Sequence, residues 1–482
     1  MPSTTRDAEA SPAERPVSTL PYTTFSHRQR LLIITIASFS ATFSGFASNI
    51  YFPVIPTMAE ALYTTPAKIN LTVTSYMIFQ AICPTFWGAV SDAYGRRLTV
   101  ISTLTVFLGA CIGLALTQHY YQLVILRCLQ SAGSASTIAI GSGIIGDVTT
   151  KAERGGYMGY FQTGLLLPLA IGPVLGGIFA SALGWRSLFW FLVIYSGVFL
   201  LFLALVLPET LRSIVGNGAV PPFKLARSPL ERFTSNRVYD GAAPARGFSL
   251  NLLGPIRILF APEVNFVSFF LAIHYATWQM ALTAQATLFE NLYSLSEIDN
   301  GLTFIANGFG CMIGSLTTGK LLDKEYRRHK AKYTGPEEEF PIEIVRLRSI
   351  WFWSPLQWGA LLLFGWTLDK QVHIAAPIIA SFILAWSAMS TQAVISTFLV
   401  DIFPKSAASA TAALNLARCL MGAGATAQIE PLYSAVGVGW AFTLWTGAMA
   451  LSLGLVAVQM RWGAGWRRKR ERREEDKAKI AL

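Results

Sequence analysis

Long apolar runs alternate with short polar breaks along almost the whole chain. A segment that crosses a bilayer needs roughly 20 mostly apolar residues. By that rule, twelve runs predict membrane-spanning helices: 31–58, 68–91, 98–117, 121–147, 156–181, 186–207, 264–290, 299–322, 349–368, 372–402, 406–432 and 439–462. The fifth, GYFQTGLLLPLAIGPVLGGIFASAL, is rich in Gly and Pro. In water that would argue against a helix; in lipid, neighbouring helices can satisfy the freed backbone groups. The pattern therefore predicts an all-α polytopic membrane protein.

The polar stretches divide the chain further. Residues 1–30 read as a disordered cytoplasmic tail, with no cleavable signal segment. Residues 31–207 form a first six-helix unit and 264–462 a second. Between them, 208–263 is proline-punctuated, polar and too short for a core of its own, so it reads as a cytoplasmic linker. A second charged loop covers 323–348, and 463–482 is a basic cytoplasmic tail. The two units echo each other. Gly88-x-x-x-Asp92 closes the second span and Gly319-x-x-x-Asp323 the eighth. Asp147-Val-Thr-Thr-Lys151 closes the fourth and Asp401-Ile-Phe-Pro-Lys405 the tenth. Two matches in the same order point to a duplicated unit, and parallel repeats of this kind place a binding site between the halves.

Composition agrees with lipid: 53% of residues are hydrophobic and only 13% charged, against roughly 25% charged in soluble chains. The net charge of +11 would suggest nucleic acid on a soluble protein; here it collects in loops. With both termini inside, three of the 38 basic residues fall outside (Lys68, Arg186, Lys370), two fall within spans (Arg127, Arg418) and the rest are cytoplasmic. That asymmetry predicts N-in, C-in. The run WRRKRERREED at 466–476 suits anionic lipid head groups or a plain topology anchor. The five cysteines lie in apolar runs without a CxxC pair and read as packing residues.

GAVSDAYGRR, residues 88–97, resembles the G-x-x-x-D-x-x-G-R-R/K signature of the major facilitator superfamily at Gly88, Asp92, Gly95, Arg96 and Arg97. The resemblance implies two pseudo-symmetric six-helix bundles that rock about a central site. It makes this loop a conformational latch, with Asp92 facing the N-terminus of span 11, where the helix dipole is positive. Span 1 carries Asn49, Tyr51, Pro53 and Pro56. It resembles the P-x-x-P element of the twelve-span drug:proton antiporter branch, whose prolines would disrupt its outer end and make Asn49 and Tyr51 candidates for the substrate cavity. LVILRCLQSAG, 123–133, resembles R-x-x-Q-G-x-G of the same branch, with Ser131 in place of the first Gly. A charge in hydrocarbon costs at least about 2.5–3.5 kcal/mol and normally faces a cavity or a partner. The resemblance makes Arg127 a coupling residue, with Gln130 beside it; snorkelling to the nearby outer end is the alternative. Gly172-Pro173-x-x-Gly176-Gly177 in span 5 resembles the antiport motif, which favours export over uptake. Gly310 and Gly314 in span 8 offer a matching small-residue face for spans 5 and 8 to pack. Asp147, the Gly184-Trp185-Arg186 turn and Pro208-Glu209-Thr210 also resemble this branch.

Arg418 lies about halfway along span 11, so a carboxylate or a bound anion is expected beside it. His274, Trp278, Gln279 and Asn307 add polar and aromatic groups at similar depth, as cavities for amphipathic molecules do. Proton antiport needs a titrating group, yet no span has a central acid. Asp147, Asp401, Glu290 and Glu430 sit near span ends, and His274 is a further option. No P-loop, metal cluster or nucleophile elbow occurs, so neither an enzyme nor a cofactor is expected. The expectation is a monomeric secondary exporter in the plasma or vacuolar membrane. A proton gradient would drive small amphipathic compounds outward, be they drugs, toxins or secondary metabolites. The alternatives are dedicated export of one metabolite, organic acid or amino acid, and nutrient symport.

Overall fold

The computed structural model describes residues 23–150, 153–222, 226–229, 254–335, 340–403 and 407–480. The chain is all-helical there. The first half contains α1 (His27–Asn49), α2 (Ile55–Ala61), α3 (Pro66–Tyr94), α4 (Arg96–Ala115), α5 (Tyr120–Ser134), α6 (Ser136–Val148), α7 (Arg154–Leu183), α8 (Arg186–Val206) and the short α9 (Arg212–Val215). The second contains α10 (Gly254–Leu259), α11 (Pro262–Tyr293), α12 (Glu297–Lys332), α13 (Ile342–Leu347), α14 (Ile350–Asp369), α15 (Ala375–Ile402), α16 (Ala407–Val436) and α17 (Val438–Ile480). Every predicted span falls on a long helix or an abutting pair. Among the described residues, seven stretches are long and apolar enough to cross a membrane, from His27–Ala61 to Val438–Arg473. Most of residues 1–30, much of the linker, and Lys151 and Lys405 of the repeated motif lie outside the described residues.

Local chemistry explains the breaks. Ser26 caps α1 by accepting from the Gln29 backbone N–H, and Gln29 returns the bond. Pro53 and Pro56 cannot donate to a helical ladder. The chain therefore leaves α1 at Asn49, makes a 3₁₀ turn over Phe52–Val54 and resumes as α2. Gly95 separates α3 from α4 at φ +110°, where a side chain would also collide with the Glu209 carboxylate. α12 packs on α15, α14 on α15 and α17, α1 on α7, and α4 on α5 and α8. α7–α12 and α3–α16 join the halves.

The expected glycine pairing is corrected. α7 and α12 do meet, but not through Gly172, Gly176, Gly310 and Gly314. Gly172 and Gly176 lie against Asn49 and Ile50, so this face receives the broken end of α1. Gly310 and Gly314 lie against Phe382, Ala385 and Trp386 of α15. The junction between the halves uses Gly177 on the Glu297 carbonyl, Gly301 on the Pro173 carbonyl and Gly308 on the Ala170 backbone. Pro168 and Pro173 both lie within an unbroken α7.

Candidate functional site

Arg127 of α5 is 1% exposed. Its guanidinium lies between two phenol rings, 4.3 Å from the Tyr51 centroid and 4.4 Å from that of Tyr76. Nη1 donates to the Ala47 carbonyl (2.9 Å) and to Gln130 Oε1 (2.6 Å). Nε and Nη2 are buried without a hydrogen-bond partner. Tyr51 meets Thr72 at 2.7 Å, and Tyr76 meets Ser134 at 2.9 Å. The break in α1 places Tyr51 under the cation; a continuous helix would turn this ring elsewhere. The arginine does not snorkel. Face-on stacking on aromatic rings is what holds its charge in place of a carboxylate.

A second arginine–tyrosine pair faces it from the other half. Arg418 of α16 stacks 4.6 Å from the Tyr275 centroid and donates from Nη2 to Asn415 Oδ1 at 2.7 Å. The expected carboxylate partner is not there: neither Arg127 nor Arg418 forms an ion pair among the described residues. α16 fits close to Tyr275 and Met77 at Gly422, where an added Cβ would meet Met77 Cε at 2.5 Å and Tyr275 Cε1 at 3.2 Å. Met77 follows Tyr76 directly. Spans carrying both pairs therefore converge at one level between the halves.

The remaining cavity candidates are more internal than expected. His274 is fully buried within the second half, with Nδ1 3.0 Å from the Phe270 carbonyl and Nε2 3.1 Å from Ser354 Oγ. Trp278 Nε1 donates to Asn307 Oδ1 at 2.8 Å. Asn49 Nδ2 donates to the Gly45 carbonyl at 2.8 Å. Gln279 is buried on α11. The His274–Ser354 and Trp278–Asn307 bonds tie helices of the second half together, while the bonds to Phe270 and Gly45 stay within one helix; all satisfy buried polar groups. Tyr76 and Asn415 escaped the sequence reading because a tyrosine or asparagine in an apolar run has no signature. Only the fold brings Tyr76 onto Arg127.

Side-chain hydrogen bonds join the halves. Thr57 Oγ1 donates to Glu297 Oε1. Asn70 Nδ2 donates to Glu430 Oε2 (3.1 Å), Thr74 meets Thr426 (3.1 Å), and Asn415 Nδ2 donates to the Gln80 carbonyl (3.1 Å). Phe52 stacks on Phe304 at 6.0 Å. All lie between the ends of the helices far from the termini and mid-depth. The termini-bearing side is open at Gly88 and Gly319. Added Cβ atoms at Gly88 and Gly319 would meet nothing within 4 Å.

Each half carries its own ionic clamp on that open side. Arg96 binds Asp92 (2.6 Å, Nη1) and Asp147 (2.9 Å, Nε). Glu209 accepts the backbone N–H groups of Arg96, Arg97, Thr210 and Leu211 at 2.9–3.2 Å. Burial pushes the Glu209 carboxyl above its ordinary value, and these four donors pull it back only in part. Arg97 donates to the carbonyls of Leu207 and Ala204. In the second half Arg346 binds Asp401 (2.7 Å), Arg467 binds Glu343 (2.8 Å) and Arg470 binds Glu263 (3.2 Å). Asp92 is 64% exposed, with its ion pair inside its own half. Residues 404–406, just before α16, lie outside the described residues. Of the acids considered for proton coupling, Asp147 and Asp401 are thus held in clamps and Glu430 in the far-side seal.

The model of the Major Facilitator Superfamily matches residues 37–426. Citrate exporter 1 of Aspergillus niger is 39% identical over 98% of this chain and 92% of its own length. Multidrug transporter QDR2 of Candida glabrata is 35% identical over 96% of this chain and 85% of its own. MFS antiporter QDR2 of Candida albicans is 35% identical over 89% and 87%. The human organic anion transporter MFSD10 (TETRAN) has a similar fold, with TM-score 0.54 and 18% identity over 90% of this chain and all of its own.

Proposed function

Because this chain belongs to the Major Facilitator Superfamily, a family of membrane transporters and not of enzymes, we propose that it is a secondary active exporter. It carries small amphipathic compounds by alternating access, in exchange for protons. The observation that carries this reading is the one-sided seal: hydrogen bonds from Thr57–Glu297 to Asn415–Gln80 close the far side, while Gly88, Asp92 and Gly319 stand clear on the side of the termini. With the basic residues inside, that open side is the cytoplasm of a plasma-membrane or vacuolar protein. A carrier at rest in this state loads from the cytoplasm. The similarity to exporters and to an antiporter supports outward exchange. Asp92 then closes the cytoplasmic side in the opposite state, and Arg127 couples the proton.

Glu290, Glu297 and Glu430 are acids at the far side, where an incoming proton first arrives. Dedicated export of a single organic acid is a second reading, favoured by the similarity to a citrate exporter. The experiment is flux in proteoliposomes under an imposed pH gradient. A panel of lipophilic cations, weak acids and secondary metabolites is offered. Exchange should rise with an inwardly directed proton gradient and collapse when an ionophore dissipates it. Flux that ignores the gradient removes proton antiport.

A further inference from the structure

Each half carries one guanidinium group stacked on tyrosine, Arg127 in the first and Arg418 in the second, and none of the described residues gives either a carboxylate. Unpaired buried charge is normally neutralised or compensated by an opposite charge. Arginine stays protonated in proteins, and the tyrosine faces offset its charge only in part, which leaves room for an anion to complete the compensation. The free edge of Arg127 is specific. Nη1 is used by Ala47 and Gln130, which leaves Nε and Nη2, the side-on pair. That pair has the spacing of the two oxygens of a carboxylate and takes it in two parallel hydrogen bonds. Arg418 is only partly buried, and one of its nitrogens is held by Asn415. Tyr76 stacks on Arg127 and Tyr275 on Arg418, and Gly422 of α16 sits against Tyr275 and Met77, the residue after Tyr76. A lipophilic cation placed here would face two like charges.

We propose that the cargo is a small organic carboxylate, received by Arg418 from the open side and anchored at its second acidic group by the free edge of Arg127 once Tyr76 and Tyr275 move aside. The inference rests on the exporter reading and narrows it to one class of substrate. Aromatic walls accept the carbon skeleton, while the two guanidinium groups set the charge.

The test uses the full chain in proteoliposomes with three labelled probes: citrate as a multivalent carboxylate, inorganic phosphate, and tetraphenylphosphonium as a lipophilic cation. Citrate exchange should be saturable and exceed that of the other two. Arg418→Gln should lower citrate kcat/KM at least about tenfold, mostly through KM, whereas Arg418→Lys should lose about threefold or less, because a charge is kept. Citrate should also raise the Tm of the wild-type protein in detergent, which reads binding without any variant. Tetraphenylphosphonium flux without citrate flux overturns the proposal and leaves the exporter reading standing. Equal losses in the Gln and Lys variants overturn it too, since shape and not charge would then matter. Phosphate carried as well as citrate refutes the carboxylate assignment. Flux of none of the probes or of the wider panel defeats the exporter reading itself.

Discussion

Gly308→Ala should unseal the far side. An added Cβ at Gly308 would lie 2.8 Å from the Ala170 backbone nitrogen and nearer still to its Cα. Backbone cannot give way as a flexible side chain can, so α7 and α12 must separate. Overpacking of this kind costs about 1–3 kcal/mol. The strain exists only while the halves touch, so it acts on the balance between states and not on folding of either half. At about 1.4 kcal/mol per factor of ten, the far-open state gains roughly 5- to 150-fold in population. The reporter is a cysteine at Val54, which is 1% exposed in the 52–54 turn packed against the second half. An impermeant maleimide should modify Val54→Cys slowly in the parent and at least about fivefold faster with Gly308→Ala. Exchange flux should fall, because the sealed state is needed in every cycle. Unchanged labelling with unchanged flux would place the junction between the halves elsewhere.

The two ionic clamps should differ in strength. Asp147 is 13% exposed and Asp401 27%, so Arg96→Ala strands the better-buried acid. It should cost about 3–5 kcal/mol, and Arg346→Ala about 1–3 after allowance for solvent; thermal unfolding in detergent with the reverse order would contradict this. Glu209 gives a pH signature. Its carboxyl is raised by burial, so the folded chain binds this proton more tightly than the unfolded one. Its stabilising contribution is then full below the unfolded value, about 4.3, and is lost as pH rises through the folded value. The Tm of the wild type relative to Glu209→Gln should fall from pH 4 toward pH 7; a rise would reverse the sign assigned to burial.

The positions of the long helices were legible because apolar length is a one-dimensional signal. The break in α1 was legible too, since Pro53 and Pro56 remove donors wherever they stand. Partnership was not. A Gly-x-x-x-Gly spacing announces a small face but not what will fill it. Gly172 and Gly176 therefore took α1, and Gly310 and Gly314 took α15, while the unremarked Gly301 and Gly308 met α7. Arg127 and Arg418 stood out as charges in apolar runs. Tyr51 stood out beside the prolines, but Tyr76 did not, because a phenol in an apolar run looks like packing. Arg346 was one cation in a charged loop, and only the return of α13 toward Asp401 sets it apart.

The sparse seal between the halves bears on speed. Two of the named hydrogen bonds end on carboxylates, at about 1.5–3 kcal/mol net each, and two are neutral, at about 0.5–1.5, so together they come to roughly 4–9 kcal/mol. One proton moving through a pH difference of two units releases about 2.7 kcal/mol. A single coupling ion therefore supplies a sizeable part of the work of breaking these bonds on the far side. Had that side been closed by buried ion pairs like Arg467–Glu343, the same ion would have been too small a load to turn the machine. The clamps stay inside each half and the weak bonds lie between them, so effort goes into the hinge and not into bending the levers.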